Sequence, residues 1–317
     1  MEKKIAVYYR DDMAPADAPT NYSKSPTKPR RFLEYLRQTP IWQSVDLRRD
    51  FEPMTRDQLL LAHEARYVDA FLAGEPRWLA ESNGLAWSPQ FRDSVLLTNA
   101  CLLAAISAAV DHPQIVAMAP VSGFHHARPG GGSGFCTFSG QVIAAVHLYR
   151  QRGLRGAWVD LDGHFGNSIE DSRDFAPDLN VAIAPGLNIN PSGQHRAYLE
   201  DLQRQLVFLT ERAVAGEVDY VCVAHGADSH EWDQLGHQCT TAEWLEASDL
   251  VYATLARLNQ WGWSPKKVAV TLTLFGGYRD DHPESVLALH AMDTARALVH
   301  LAGADLRGYS AEVRARG

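Results

Sequence analysis

The sequence predicts an α/β protein: an open parallel sheet flanked by helices, in a single domain over residues 1–317. Three observations carry that expectation. Short apolar runs alternate with longer amphipathic stretches, the pattern of βαβ units. Four of those runs end in clusters of His, Asp or Tyr, as expected where ligands meet the carboxyl edge of a parallel sheet. No internal repeat or Gly/Ser linker divides the chain, and 317 residues fit one large domain of this kind.

Taken in order, Lys4–Tyr9 reads as the first strand. The stretch that follows, residues 10–31, is long for a connection in a compact domain. It should emerge at the ligand-binding edge, where Asp11, Asp12 and Asp17 would favour a cationic substrate. Arg56–Leu72 and Phe91–Val110 read as helices. Strand Ile115–Met118 then runs out into FHHARPGGGSGFC (124–136). Helix Gly140–Arg152 precedes strand Gly156–Asp160, which runs into DLDGHFGNS (160–168). Leu179–Ile183 reads as a strand and Arg196–Ala215 as a helix. Strand Tyr220–Ala224 delivers HGADSHEWDQLG (225–236). Helix Ala242–Asn259, strand Val268–Leu274 with its FGGYRDD ending (275–281), and helix Glu284–Leu301 complete the pattern.

Composition narrows the function. The net charge of -8 and a pI near 5.9 argue against a nucleic-acid footprint. The four cysteines, Cys101, Cys136, Cys222 and Cys239, have no CxxC spacing and read as small buried residues of a reducing compartment. The longest apolar run, 100–110, is too short to span a bilayer, and MEKKIAVYY lacks the apolar stretch of a signal peptide. The expectation is a soluble, cytoplasmic protein with neither nucleic-acid nor membrane partners.

Alternate strand residues share a face, so Asp160, Asp162 and His164 point the same way. Two carboxylates and an imidazole at the end of a buried strand need compensation, and a metal ion supplies it. Asp162 and His164 offer one oxygen and one nitrogen. Asp228, at an equivalent strand end, is the best third ligand, with His225 and His230 as rivals. Two Asp and one His leave a position open, as catalytic zinc requires. Asp160 is read as the carboxylate that fixes a neighbouring imidazole. Phe135, among Gly130, Gly131, Gly132 and Gly134, reads as the aromatic wall of a glycine-rich loop.

Over most of its length the chain resembles the zinc-dependent histone deacetylase superfamily, in its bacterial deacetylase-like and acetylpolyamine amidohydrolase branches. The similarity is strong at HHARPGGGSGFC, DLDGH, GADSHEWDQLG and GGY, and weaker at SKSPTKPRRF (23–32) and FEPMTRDQLLLAHEARYVDAF (51–71). The resemblance implies zinc on Asp162, His164 and Asp228, and allows a structural monovalent cation such as K+. It implies tandem catalytic histidines at His125 and His126, hydrogen-bonded by Asp160 and Asn167. His126 would move the proton and His125 would act electrostatically. Tyr278 would polarise the substrate carbonyl, and Gly134 and Phe135 would line an acyl tunnel. His230 matches a family histidine that is not a ligand. A second aromatic wall is expected after the zinc strand, where Phe175 is the only aromatic of residues 174–191. Phe165, Ser168 and Gln234 depart from the family pattern without removing a ligand or a catalytic group. The implied substrate is a small acylated amine or an acyl-lysine peptide. Two alternatives stand beside this reading: an arginase-like binuclear hydrolase, and a non-catalytic binder of acylated amines.

Overall fold

The computed structural model describes residues 3–15, 24–260 and 262–316. Among the described residues, seven strands form one sheet: β1 (Ile5–Tyr8), β2 (Val45–Arg48), β3 (Val116–Met118), β4 (Gly156–Asp160), β5 (Asn188–Ile189), β6 (Tyr220–Ala224) and β7 (Ala269–Thr273). Their order is β2-β1-β3-β7-β6-β4-β5, and every pairing is parallel. Strands β1, β3, β4, β6 and β7 are buried at each position. That is why they read as unbroken apolar runs and not as alternations: helices cover both faces.

Among the described residues, seven helices of nine residues or more surround the sheet: α1 (Lys28–Leu36), α2 (Ala65–Ala73), α3 (Pro89–Asp111), α4 (Gly140–Arg152), α5 (Arg196–Val214), α6 (Thr241–Gln260) and α7 (Pro283–Ala302). α3 starts at Ser88, whose hydroxyl accepts the Phe91 N–H at 3.0 Å, with Pro89 at its first position. By length and composition α3 could cross a membrane, which the shorter run at 100–110 could not. Here it packs against β1, β3, β7 and α4.

Three elements differ from the sequence expectation. Leu179–Ile183 is not a strand: Leu179–Ala182 forms a single helical turn. Leu179, Ala182 and Ile183 are buried while Val181 is exposed, a spacing of three and four in place of two. The sheet position belongs to β5, paired with β4 through Trp158 with Asn188 and Val159 with Ile189. The second difference is β2, which pairs with β1 where the sequence pattern marks no strand. Both missed strands are sheet edges, short and partly exposed, so neither carries the buried apolar run that marks the central strands.

The third difference is a break in the expected helix Arg56–Leu72, which splits into Arg56–Leu59 and α2. His63 occupies the break, fully buried. Its Nδ1 lies 2.9 Å from the Arg128 carbonyl, and its Nε2 accepts the Ser139 N–H at 2.8 Å. A neutral ring satisfies both contacts, and burial lowers its pKa to about 4. His63 thereby pins both ends of the glycine-rich segment that follows β3.

Candidate active site

The four strands that end in polar clusters are neighbours in the sheet, β3-β7-β6-β4. Their carboxyl ends therefore converge from positions as far apart in the chain as residues 125 and 278. Beyond β4, the backbone turns so that Asp162 N–H bonds Asp160 Oδ1 (3.2 Å) and His164 N–H bonds Asp162 Oδ1 (3.0 Å). Asp228, on a short turn after β6, accepts the Gly163 N–H on Oδ1 at 3.0 Å. His164 Nδ1 lies 3.1 Å from Asp162 Oδ1 and 2.9 Å from Asp228 Oδ2.

One ligand atom from each of Asp162, His164 and Asp228 falls within a 4.8 Å cluster, the one such group among the described residues. Both carboxylates are buried, and the His164 side chain is 35% exposed, so the cluster is open on one side. Burial and the Asp162 charge push Asp228 up to about 7. His164, between the two carboxylates, is raised to about 10 by its hydrogen bonds to them. Two buried carboxylates pressed together around one imidazole are short of positive charge, and a divalent ion with mixed N/O ligands fits that deficit.

The rival ligands turn elsewhere. His225 stacks on Trp244 at 3.7 Å, and its Nδ1 faces Asp293 Oδ1 at 3.0 Å. His230 Nε2 pairs with the Thr241 hydroxyl at 2.8 Å.

His125 and His126 sit side by side, ring centres 4.0 Å apart. His125 Nδ1 lies 2.9 Å from Asp160 Oδ2. Burial alone would lower its pKa, but Asp162 and Asp160 outweigh burial and raise it to about 9. His126 Nδ1 lies 2.8 Å from Asn167 Oδ1, and the Asn167 amide nitrogen donates to Asp171 Oδ2 at 2.7 Å. A carboxylate only accepts, so this second bond orients the amide with its oxygen toward His126. His126 then donates from Nδ1 and keeps a lone pair on Nε2. Burial and the adjacent His125 lower its pKa to about 4.

Tyr278 faces the same centre, its ring 6.3 Å from His164 and 6.1 Å from Phe135. Burial and the two nearby carboxylates, Asp162 and Asp228, hold its pKa well above the ordinary value, so its hydroxyl keeps its proton. Gly134 backs onto His126: a Cβ there would lie 2.6 Å from the imidazole. Phe135 takes a left-handed φ of 64°, held by its N–H to the Asn83 carbonyl at 3.0 Å. Phe175 is exposed, and Phe165, directly after His164, is 61% exposed.

Two residues of the site carried no signal that sequence reasoning used. Lys28, in the first turn of α1, is buried and donates to the Phe275 carbonyl at 2.5 Å. Burial lowers its pKa to about 8 against the pull of Asp228, Asp162 and Asp233. It lines a small cavity with Ser25, His125, Phe135, Asp162 and Tyr278. Asp233 accepts the Tyr278 N–H at 2.6 Å and the Leu235 N–H at 2.9 Å.

These contacts revise the expectation for residues 10–31. Asp17 lies outside the described residues. Asp12 pairs with Arg10 at 2.7 Å and Asp11 lies 4.0 Å from Arg49, so arginines offset both charges. The part of this stretch that lines the site brings a cation instead, Lys28, while Lys24 pairs with Asp280 at 3.7 Å.

Gly276 yields a first prediction. Its N–H donates to Asp162 Oδ2 at 2.8 Å, and a Cβ there would lie 2.4 Å from Asp228 Oδ2 and 2.6 Å from Asp162 Oδ2. Gly276→Ala should therefore displace both carboxylates. Metal affinity, titrated with a competing chelator, should fall on the order of ten- to a hundredfold in a folded protein, as when the groups that orient ligands are disturbed.

The chain has clear relatives. Residues 22–184 match the family described as the histone deacetylase domain. An uncharacterised protein of Picosynechococcus sp. is 30% identical over 217 residues, 60% of this chain and 68% of its own length. The histone deacetylase-like amidohydrolase of Pseudomonas aeruginosa is 25% identical over 254 residues, 69% of this chain and 64% of its own length. Among solved structures, the HDA15 HD domain superposes with a TM-score of 0.70 over 95% of this chain and 90% of that one, at 18% identity.

Proposed function

The chain belongs to the histone deacetylase family, a family of hydrolytic deacetylases, and from that membership we propose a zinc-dependent amidohydrolase that removes an acetyl or other acyl group from an N-acylated amine. The observation that carries the proposal is one juxtaposition. The Asp162, His164 and Asp228 set, with both carboxylates buried, faces two histidines with different hydrogen-bond partners and a protonated tyrosine.

Asp162, His164 and Asp228 would hold the ion. When bound, zinc polarises an amide carbonyl and acidifies the attacking water. The remaining work falls to side chains. His126, its Nδ1–H fixed by Asn167, offers the Nε2 lone pair as general base and later returns that proton to the departing amine. His125, paired with Asp160, carries positive charge beside it and favours the negative charge that develops on the substrate. The Tyr278 hydroxyl donates to the oxyanion. Phe135 and Gly134 would flank the aliphatic stem of the substrate, which we take to be a small acylated amine or an acyl-lysine peptide.

A panel of acetyl-lysine peptides, acetylated polyamines and longer acyl amides tests this directly. At least one member should turn over, with activity falling at least about a hundredfold on chelation and returning with added Zn2+. A metal-replete protein inert to the whole panel would leave the non-catalytic binder as the better reading.

A further inference from the structure

We infer that Arg279 is a positioning residue for Tyr278, acting through a clasp with the stretch of chain that follows α7. The inference rests on Tyr278 being the oxyanion donor proposed above.

The loop from β7 to α7 takes left-handed dihedrals just before Tyr278 and is anchored by hydrogen bonds at and after it. Before the tyrosine, Phe275 has φ 54° and Gly277 has φ 136°, regions that an ordinary loop seldom uses. At and after it the backbone is held. Tyr278 N–H bonds Asp233 Oδ2 at 2.6 Å, its carbonyl accepts the Gln234 N–H at 3.1 Å, and Asp280 N–H bonds Gln234 Oε1 at 3.2 Å.

Arg279 completes the anchor. It is 6% exposed, and a buried guanidinium must find partners for its donors. Nε and Nη2 take the Asp281 carboxylate at 2.7 and 2.6 Å, and Nη1 donates to the Arg314 carbonyl at 2.9 Å. That last bond spans the C-terminal stretch. α7 carries the chain about 30 Å away from the site, and the residues after Gly303 return along it. At the end of the return, Arg314 N–H bonds the Ser285 hydroxyl at 3.1 Å in the first turn of α7. Arg316 Nη1 then reaches the carbonyl of Asp233, the residue whose side chain holds Tyr278, at 3.5 Å.

The tyrosine loop is thus gripped by Asp233 and Gln234 on one side and by Arg314 on the other, with Arg279 as the link. Lysine cannot replace it, because a single ammonium cannot present the fork that engages Asp281 and Arg314 together. Without the link the backbone after Tyr278 loses its hold on the C-terminal stretch, and the hydroxyl spends less time where the oxyanion forms. Displacements of about 1 Å at a reacting group cost up to about a hundredfold in rate.

A double-mutant cycle tests this. Arg279→Ala should lower kcat on the order of tenfold or more, with KM and zinc content near those of the parent. In a Tyr278→Phe background the same substitution should cost nothing further, because the hydroxyl it positions is gone. Arg279→Lys should behave like Arg279→Ala. If Arg279→Ala does not fold, deletion of residues 312–317, which removes the Arg314 carbonyl and Arg316, should give the same cycle. An equal loss in both backgrounds, or a loss that tracks zinc content, would overturn the clasp while leaving Tyr278 as donor. Near-normal kcat in Tyr278→Phe alone would instead overturn the donor reading, and the clasp with it.

Discussion

Replacing Asp228 with alanine should remove both the bound metal and the turnover. Asp228 is fully buried, and its two oxygens divide their work. Oδ1 accepts the Gly163 N–H, and Oδ2 lies 2.9 Å from His164 Nδ1. Alanine leaves one oxygen and one nitrogen where three donors stood, too few to hold zinc. The fold should survive. The orphaned Gly163 N–H costs about 1–3 kcal/mol, offset in part by relief of the repulsion that pushes Asp228 up to about 7. Elemental analysis of the purified variant should show far less than one zinc per chain, and circular dichroism should match the parent. Full zinc occupancy in the variant would mean that another residue supplies the third donor. That is a demanding outcome, because His225 and His230 are committed to Asp293 and Thr241. In the parent, the same analysis should give one ion per chain; two would favour the arginase-like alternative.

Tyr278→Phe should cut kcat on the order of a hundredfold or more with zinc in place, as for loss of one oxyanion-hole donor. The substitution keeps the ring, and with it the packing near Phe135 and His164. Only the hydroxyl goes. A defect confined to kcat, with KM close to that of the parent, marks an interaction made in the transition state. A change in KM alone would assign the hydroxyl to substrate binding, and no change would return Tyr278 to a packing role.

Phe165 departs from the family pattern, and its ring, directly after His164 in the chain, is 61% exposed. Phe175, the aromatic available for a second wall in residues 174–191, is also exposed, and neither side chain could be placed from the sequence.

What the sequence alone determined is what depends on local pattern. Central strands β1, β3, β4, β6 and β7 are covered on both faces, so burial writes itself into each as an uninterrupted apolar run. The convergence of four polar clusters follows from the rule that parallel strands end at one edge. Strand pleat does not account for Asp162 and His164, because β4 ends at Asp160 and a turn held by Asp160 Oδ1 and Asp162 Oδ1 carries them to the site. Tertiary structure decided the rest, for reasons that no window of sequence contains. Edge strands β2 and β5 exist because a neighbour offers hydrogen bonds, not because their own residues demand burial. His63 breaks a helix to reach Arg128 and Ser139, contacts that its apolar surroundings do not announce. His225 and His230 were rivals to Asp228 for the third ligand position; helices α6 and α7 claim both histidines and leave Asp228 beside His164. Lys28 meets Phe275 across 247 residues, and Arg279 meets Arg314 across an entire helix. A buried charge is tolerated only where partners converge on it, and convergence is a property of the folded chain.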